Sequence, residues 1–506
     1  MAKTLRSSAP SPELQSALAW LGAPPAEDPL RDLVPLRNHL ADSVDAGLPP
    51  LHWLKILELF QTRADAINDA LRPLLLDATL PLPRHLRTVA QGLVWVHGAL
   101  AEGYLRVARE ANPTKLTRPG HTLPALCTQA LTNLSRQYEV ALLVSAPAPV
   151  NLWSLAQAAF QLLKGAFSSE LTLTPDITAA DRVLKGMLAL AAAQPETFVA
   201  REIDFLSHYL RDASFAVEVR TAISEPMADW HWLEENRDLP PVSAARRLPP
   251  PDGHVLYFSC MALGRHVQDQ IVQLDSGERP ETLGMPSLAA AGDYRNALAR
   301  AGTRWSSPQK RQFNRRRQNQ RVQVCAHLGT LWRQLHGDTE TTSGETGLQI
   351  TDWMVLNESP GGYAMMHVAG SIAGLVAGAA LGLRVAHDQP WSICLVRWAR
   401  SDNPEHVELG LELIAPSAEA VRIVWPGKDA DPAPTTALLL PPLPRIGRGE
   451  ALLAVRGHHA AGRFTLISEG GGKLQLTECV SHGLALQTAC VEVFEFERDF
   501  SPREDS

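Results

Sequence analysis

Cysteine is scarce in this sequence, with six residues among 506: Cys127, Cys260, Cys325, Cys394, Cys479 and Cys490. No two stand as Cys-x-x-Cys, and His458-His459 has no cysteine at zinc-finger spacing, so neither a metal site nor a disulfide framework is expected. Buried, reduced thiols are expected instead. Lysine is nearly as rare, at 8 of the 47 cationic residues, the rest being arginine. Arginine is the better phosphate fork, but a bias spread over the whole chain marks no site of its own. The net charge of −7 excludes bulk attraction to nucleic acid while leaving room for a local basic patch. Gly-x-Ser-x-Gly, His-Glu-x-x-His and Walker loops are all absent, and the paired acids Glu234-Glu235 read as a solvated helix end. No enzyme is expected, and no catalytic residue is assigned. The opening ten residues lack the apolar run of a secretory signal, so a cytoplasmic protein is expected. What remains is ordinary globular usage, 45% hydrophobic and 20% charged, at a length suited to about three domains.

The chain divides by texture. Ser11-Pro12-Glu13 combines an N-cap, a first-turn proline and a first-turn acid, and leucines then recur at helical spacing. Apolar faces of helical period follow over 51–77, 84–111, 121–145, 152–167, 178–193 and 197–220. Residues 1–238 are therefore expected to form an α-helical bundle, and Trp230-His231-Trp232 a packed amphipathic edge at its end. A proline-rich linker is placed at 239–254 and a helical connector at 255–306. Beyond residue 321 the period changes to two, over 322–328, 391–398, 406–413, 451–455, 463–467, 474–480 and 484–497. The expected fold is multidomain α+β, in which an antiparallel β-barrel at 307–425 precedes a small β-rich unit at 430–506.

One constellation carries chemistry. The run 309–321 holds six cations and no acid within a chain that is acidic overall. It can be a solvated basic linker, a single-stranded nucleic-acid patch, or a compact phosphate site built from guanidinium forks. Only Phe313 is interleaved, which leaves the nucleic-acid reading short of stacking platforms. A second element favours the phosphate site. Trp353-Met354-Val355-Leu356 runs into Asn357-Glu358-Ser359-Pro360-Gly361-Gly362, a turn offering an amide and a hydroxyl, with glycines that let a ligand approach closely.

Arg317-Gln318-Asn319-Gln320-Arg321 followed by Asn357-x-Ser359-x-x-Gly362 resembles the two-part signature of the PilZ domain, a bacterial receptor module for cyclic di-GMP. The resemblance covers roughly 307–425, and the segments around Val396-Arg397-Trp398 and 409–413 look like the closing strands of that barrel. It implies that Arg317 and Arg321 clamp phosphates and guanine edges from a loop leading into the first strand. It also implies that Asn357 and Ser359 bond a guanine and that Gly362 permits close approach. Arg316 would add a third guanidinium for a second, stacked nucleotide, and Arg315 is a further candidate. A polar insertion at 336–345 is expected to be a surface loop. The alternative frame Arg311-x-x-x-Arg315 is not followed by a strand.

Gly361 to Leu383 holds no charged residue, and Gly370, Gly374, Gly378 and Gly382 recur every four positions, as in packed membrane helices. Twelve glycines and alanines in that stretch make poor lipid-facing surface, so a strand, a bend and a second strand are expected. The function implied is a non-enzymatic cyclic di-GMP receptor that needs no cofactor and signals to an unidentified protein through its helical domain. Neither nucleic acid nor membrane is expected as a partner. The alternatives are a PilZ-like scaffold that binds no nucleotide and a single-strand-binding protein using 309–321.

Overall fold

The structure is a computed structural model. It describes residues 11–167, 175–223, 227–307, 314–337, 350–403, 406–426, 434–444, 447–470 and 473–499, except positions 113, 115, 117, 119, 252, 371 and 373. The chain forms two compact units, one of residues up to 310 and one of 311–506 that also takes in Thr79–Pro81 and Glu196–Val199.

The first unit opens with α1 (Pro12–Gly22), α2 (Pro29–Asp45), α3 (Pro50–Leu75) and α4 (Arg84–Glu110). After them come α5 (Leu123–Leu143), α6 (Leu152–Phe167), α7 (Pro175–Ala192) and α8 (Ala200–Ala213). Local chemistry sets the starts: Ser11 Oγ accepts the Leu14 N–H at 3.3 Å, and Thr122 Oγ1 accepts that of Ala125 at 3.2 Å. In α4, Val96, Leu100, Leu105 and Val107 are fully buried. Among these apolar side chains lies a polar chain. His97 Nδ1 meets Asn133 Oδ1 at 2.9 Å, and Asn133 donates to Gln61 Oε1 at 2.6 Å. Gln61 in turn donates to Asp65 at 2.7 Å.

The helices give way to a four-stranded sheet of β1 (Glu218–Arg220), β2 (His231–Glu234), β3 (Val242–Ser243) and β4 (Val255–Ser259), in the order β1-β4-β2-β3. The proline-rich stretch is therefore part of a packed sheet. Trp232 Nε1 donates to the Arg247 carbonyl at 2.8 Å, and the Arg247 guanidinium lies 4.9 Å from the Trp232 ring. Trp230-His231-Trp232 leads into a strand, with His231 6% and Trp232 2% exposed. The expected connector begins with β4 and continues as α9 (Met261–Asp275) and α10 (Gly292–Ser306).

The second unit holds two closed barrels. The first comprises β5 (Arg316–Ala326), β6 (Ile350–Ser359), β7 (Gly362–Ala369), β8 (Ala380–Arg384), β9 (Ser392–Asn403) and β10 (His406–Ala415), closed in the order β10-β7-β6-β5-β8-β9. Inside it pack Val322, Val324, Trp353, Met365, Leu409 and Leu411. The second comprises β11 (Glu419–Val424), β12 (Thr435–Leu440), β13 (Ala451–Val455), β14 (Gly462–Gly470), β15 (Lys473–Gln487) and β16 (Val491–Arg498). Although β11 falls within the range read from sequence as the first barrel, it closes the second. A helix absent from the sequence reading, α11 (Leu328–His336), follows β5 directly. Its Leu331 and Trp332 join one buried cluster with Trp391 and Ile393 of the first barrel and Leu438 and Val493 of the second. Trp332 Nε1 also donates to the Val421 carbonyl at 2.8 Å.

The uncharged stretch from Gly361 forms β7, a bend and β8, and no described helix is long and apolar enough to cross a membrane. Residues 338–345 of the polar insertion lie outside the described residues, as does Arg311 of the alternative arginine frame. Five of the six cysteines are buried and none forms a disulfide among the described residues; burial pushes the Cys325 and Cys394 thiols up to about 12.

Candidate functional site

The two halves of the sequence motif meet on neighbouring strands. In the β5–β6 ladder Arg317 pairs with Asn357, Arg316 with Glu358 and Arg321 with Met354. Directly opposed residues of an antiparallel pair project to the same face, so the register decides what the motif can do together. Both arginines lie within β5, rather than in a loop before it, because the end of β6 extends the pairing back to Arg316.

Simple alternation along β6 from the inward Val355 would turn Asn357 into the barrel. A β-bulge prevents this, since Val355 pairs with Met365 but Asn357 with Ala364, one residue further along β7. A matching irregularity lies on β5 between Arg317 and Gln320. Bulges of this kind re-aim side chains. Ala364 pairs with Gly410, and Gly410 with Trp398. Because the adjacent Leu409 and Leu411 are core residues, this row faces outward. Arg317, Asn357, Ala364, Gly410 and Trp398 thus form one line across the outside of the barrel. Arg321, Met354, Met366, Glu408 and Arg400 form the next, and Ser359, Gly362 and Glu412 a third.

Trp398 escapes the motif reading, which treats it only as part of a closing strand. A Cβ built on Gly410 would lie 1.8 Å from Trp398 Nε1, so the indole occupies the space that this glycine leaves. Two strand spacings, roughly 10 Å, separate Gly410 from Asn357. The result is an aromatic surface, an amide and a guanidinium in line. The only sequence trace of this arrangement is a glycine interrupting the alternating strand around Leu409 and Leu411.

The charges are unevenly neutralised. Glu412 binds Arg397 at 3.0 Å and Glu408 binds His406 at 3.2 Å, while Glu358 accepts the Gln318 amide at 2.6 Å. Arg316, Arg317 and Arg321 are exposed and have no side-chain partner among the described residues, which leaves this edge of the barrel cationic. Burial pushes the Tyr363 phenol above its usual range, with smaller contributions from Cys394 and Glu358. Arg315 precedes β5 and is already engaged in an interaction.

Ser359 Oγ donates to the Gly362 carbonyl at 3.3 Å, tying together the two ends of the Pro360-Gly361 turn. Gly362 has φ of +151°, and a Cβ there would lie 1.9 Å from the Leu411 carbonyl oxygen. The sequence reading assigns this glycine to ligand approach. In the structure, the approach of β10 already requires it.

Residues 332–420 match the family model for the middle PilZ domain of the cyclic-di-GMP receptor FimW. The first barrel is a PilZ domain. That match covers Asn357, Ser359 and Gly362 and begins after the arginine pair. Residues 15–223 match the model for the N-terminal domain of the same receptor. A 103-residue segment is 34% identical to the cyclic-di-GMP receptor FimW of Pseudomonas aeruginosa, covering 20% of this chain and 17% of that relative's length.

Proposed function

We propose that this chain is a cytoplasmic, non-catalytic receptor for cyclic di-GMP. The observation that carries the reading is the outward row in which Arg317 stands opposite Asn357, with Trp398 beyond and Arg321 and Ser359 on flanking rows. Arg317 and Arg321 grip phosphate oxygens and guanine edges, since guanidinium forks match both. Asn357 and Ser359 bond the guanine edge, and Trp398 stacks on a base. Arg316, at the first position of β5, holds a second, stacked nucleotide. The names of the matching family models support this reading. Gly362 contributes by letting β7 lie against β10, which keeps Ser359 in place.

The helical unit would pass the signal to a partner protein. Nucleotide contacts at the start of β5 would shift the population of states in which that partner is met. Calorimetric titration of the full chain with cyclic di-GMP tests the receptor reading. Saturable binding that is lost in the Arg317→Ala/Arg321→Ala variant is expected. Absence of saturable binding in the micromolar range would leave a PilZ scaffold without nucleotide.

A further inference from the structure

The helical unit carries a groove that nucleotide binding does not use. Its floor is one face of α4, where Gln91, Trp95, Ala99, Glu102, Arg106 and Arg109 recur at helical spacing. From first to last this stripe runs roughly 27 Å, at ~1.5 Å rise per residue. Val44 of α2 stands on one side and Val150, in the turn before α6, on the other; the groove encloses about 960 Å³. Two glycines keep the floor low: a Cβ at Gly98 would meet Gln137 Nε2 at 2.5 Å, and one at Gly103 would meet Leu57 Cδ2 at 2.7 Å.

Among the described residues, three polar atoms of the lining are buried without a hydrogen-bond partner: Trp53 Nε1, Gln137 Oε1 and Arg106 Nη2. Trp53 is 0% and Gln137 6% exposed. The Arg106 guanidinium lies 5.2 Å from the Trp53 ring centre, with its other nitrogen donating to the Val44 carbonyl at 3.4 Å. Asp45, Glu102, Arg106 and Arg109 share the groove without forming an ion pair among the described residues.

We propose that this groove receives an extended segment of a partner polypeptide carrying both acidic and basic side chains. Its length suits a chain rather than a compact metabolite. Two orphaned donors and an orphaned acceptor are the complement of a peptide group, which offers both a carbonyl and an N–H. A helical ligand would keep those groups for its own ladder, so an extended segment is selected. Charges of both signs left unneutralised in the groove select a segment of mixed charge. The proposal rests on the reading that the helical unit meets the partner, but no part of it requires nucleotide.

The test pans the full chain against phage-displayed random dodecapeptides, with and without cyclic di-GMP. An enriched peptide is then synthesised and its affinity measured by fluorescence anisotropy. Ala99→Trp fills the floor, and Val150→Asp alters a lip residue that is 81% exposed and so leaves folding intact. Each is expected to weaken binding at least tenfold, while Arg317→Ala/Arg321→Ala without nucleotide leaves it unchanged. Enrichment of no peptide, or of peptides that bind both groove variants as well as the parent chain, would overturn the site. A peptide whose circular dichroism turns helical on binding would overturn the extended mode. A parent chain that binds the peptide but shows no saturable binding of cyclic di-GMP would sink the receptor reading and leave the groove standing.

Discussion

Replacing Arg317 and Arg321 together with alanine separates the role of the outward rows from their contribution to folding. Both side chains are exposed and have no side-chain partner among the described residues, so their removal should cost no more than about 0.5 kcal/mol of stability each. In the complex each would supply charge-assisted hydrogen bonds with a net contribution of ~1.5–3 kcal/mol. Their joint loss, ~3–6 kcal/mol, corresponds to roughly two to four decades in affinity. Competition against a fluorescent cyclic di-GMP analogue gives the affinity, and a thermal melt on the same preparation checks the fold. Arg463→Ala provides the control, because that arginine pairs with Asp499 on the second barrel. An affinity loss below tenfold with an unshifted melt would refute the assignment of these two residues. A comparable loss in the Arg463 variant would instead point to bulk charge.

Ser359→Ala should weaken nucleotide binding only about fivefold, near 1 kcal/mol, as measured by the same competition. Trp398→Ala should cost ~1–3 kcal/mol of binding and abolish any ligand-induced quenching of tryptophan emission that arises from base stacking. Gly362→Ala forces a methyl group against the Leu411 carbonyl and should destabilise the unit by on the order of 3 kcal/mol or more, read as a lower urea midpoint. Burial lowers His97 and His231 from an ordinary value near 6.5 to about 4. The unfolded chain therefore takes up protons first as pH falls. Stability from these neutral rings is complete above pH 6.5, is lost between 6.5 and about 4, and then levels off. The loss is on the order of 3 kcal/mol per histidine, and urea midpoints across that window should fall less in His97→Gln.

Much of the fold was legible because its signals are local. The Ser11 cap, the apolar stripe of α4 and the alternation around Leu409 and Leu411 each need only neighbouring residues to be read. The proline-rich stretch misled for the opposite reason. Its strand pairing and the bond from Trp232 to Arg247 come from partners distant in sequence. The helix α11 was missed because it begins right after a strand, and its Leu331 and Trp332 are buried by a barrel that does not yet exist when the segment is read alone.

The sequence by itself determined the motif pair, the helical and β-rich halves, and the local basic run hidden within a net charge of −7. These depend on residue type and spacing, which are fixed by covalent order. Only the tertiary structure decided that Asn357 faces outward with Arg317, that Trp398 covers Gly410, and that Gly362 answers to the backbone of β10. Each of these depends on strand register, and a single bulge at Leu356 reverses the face on which the motif is displayed.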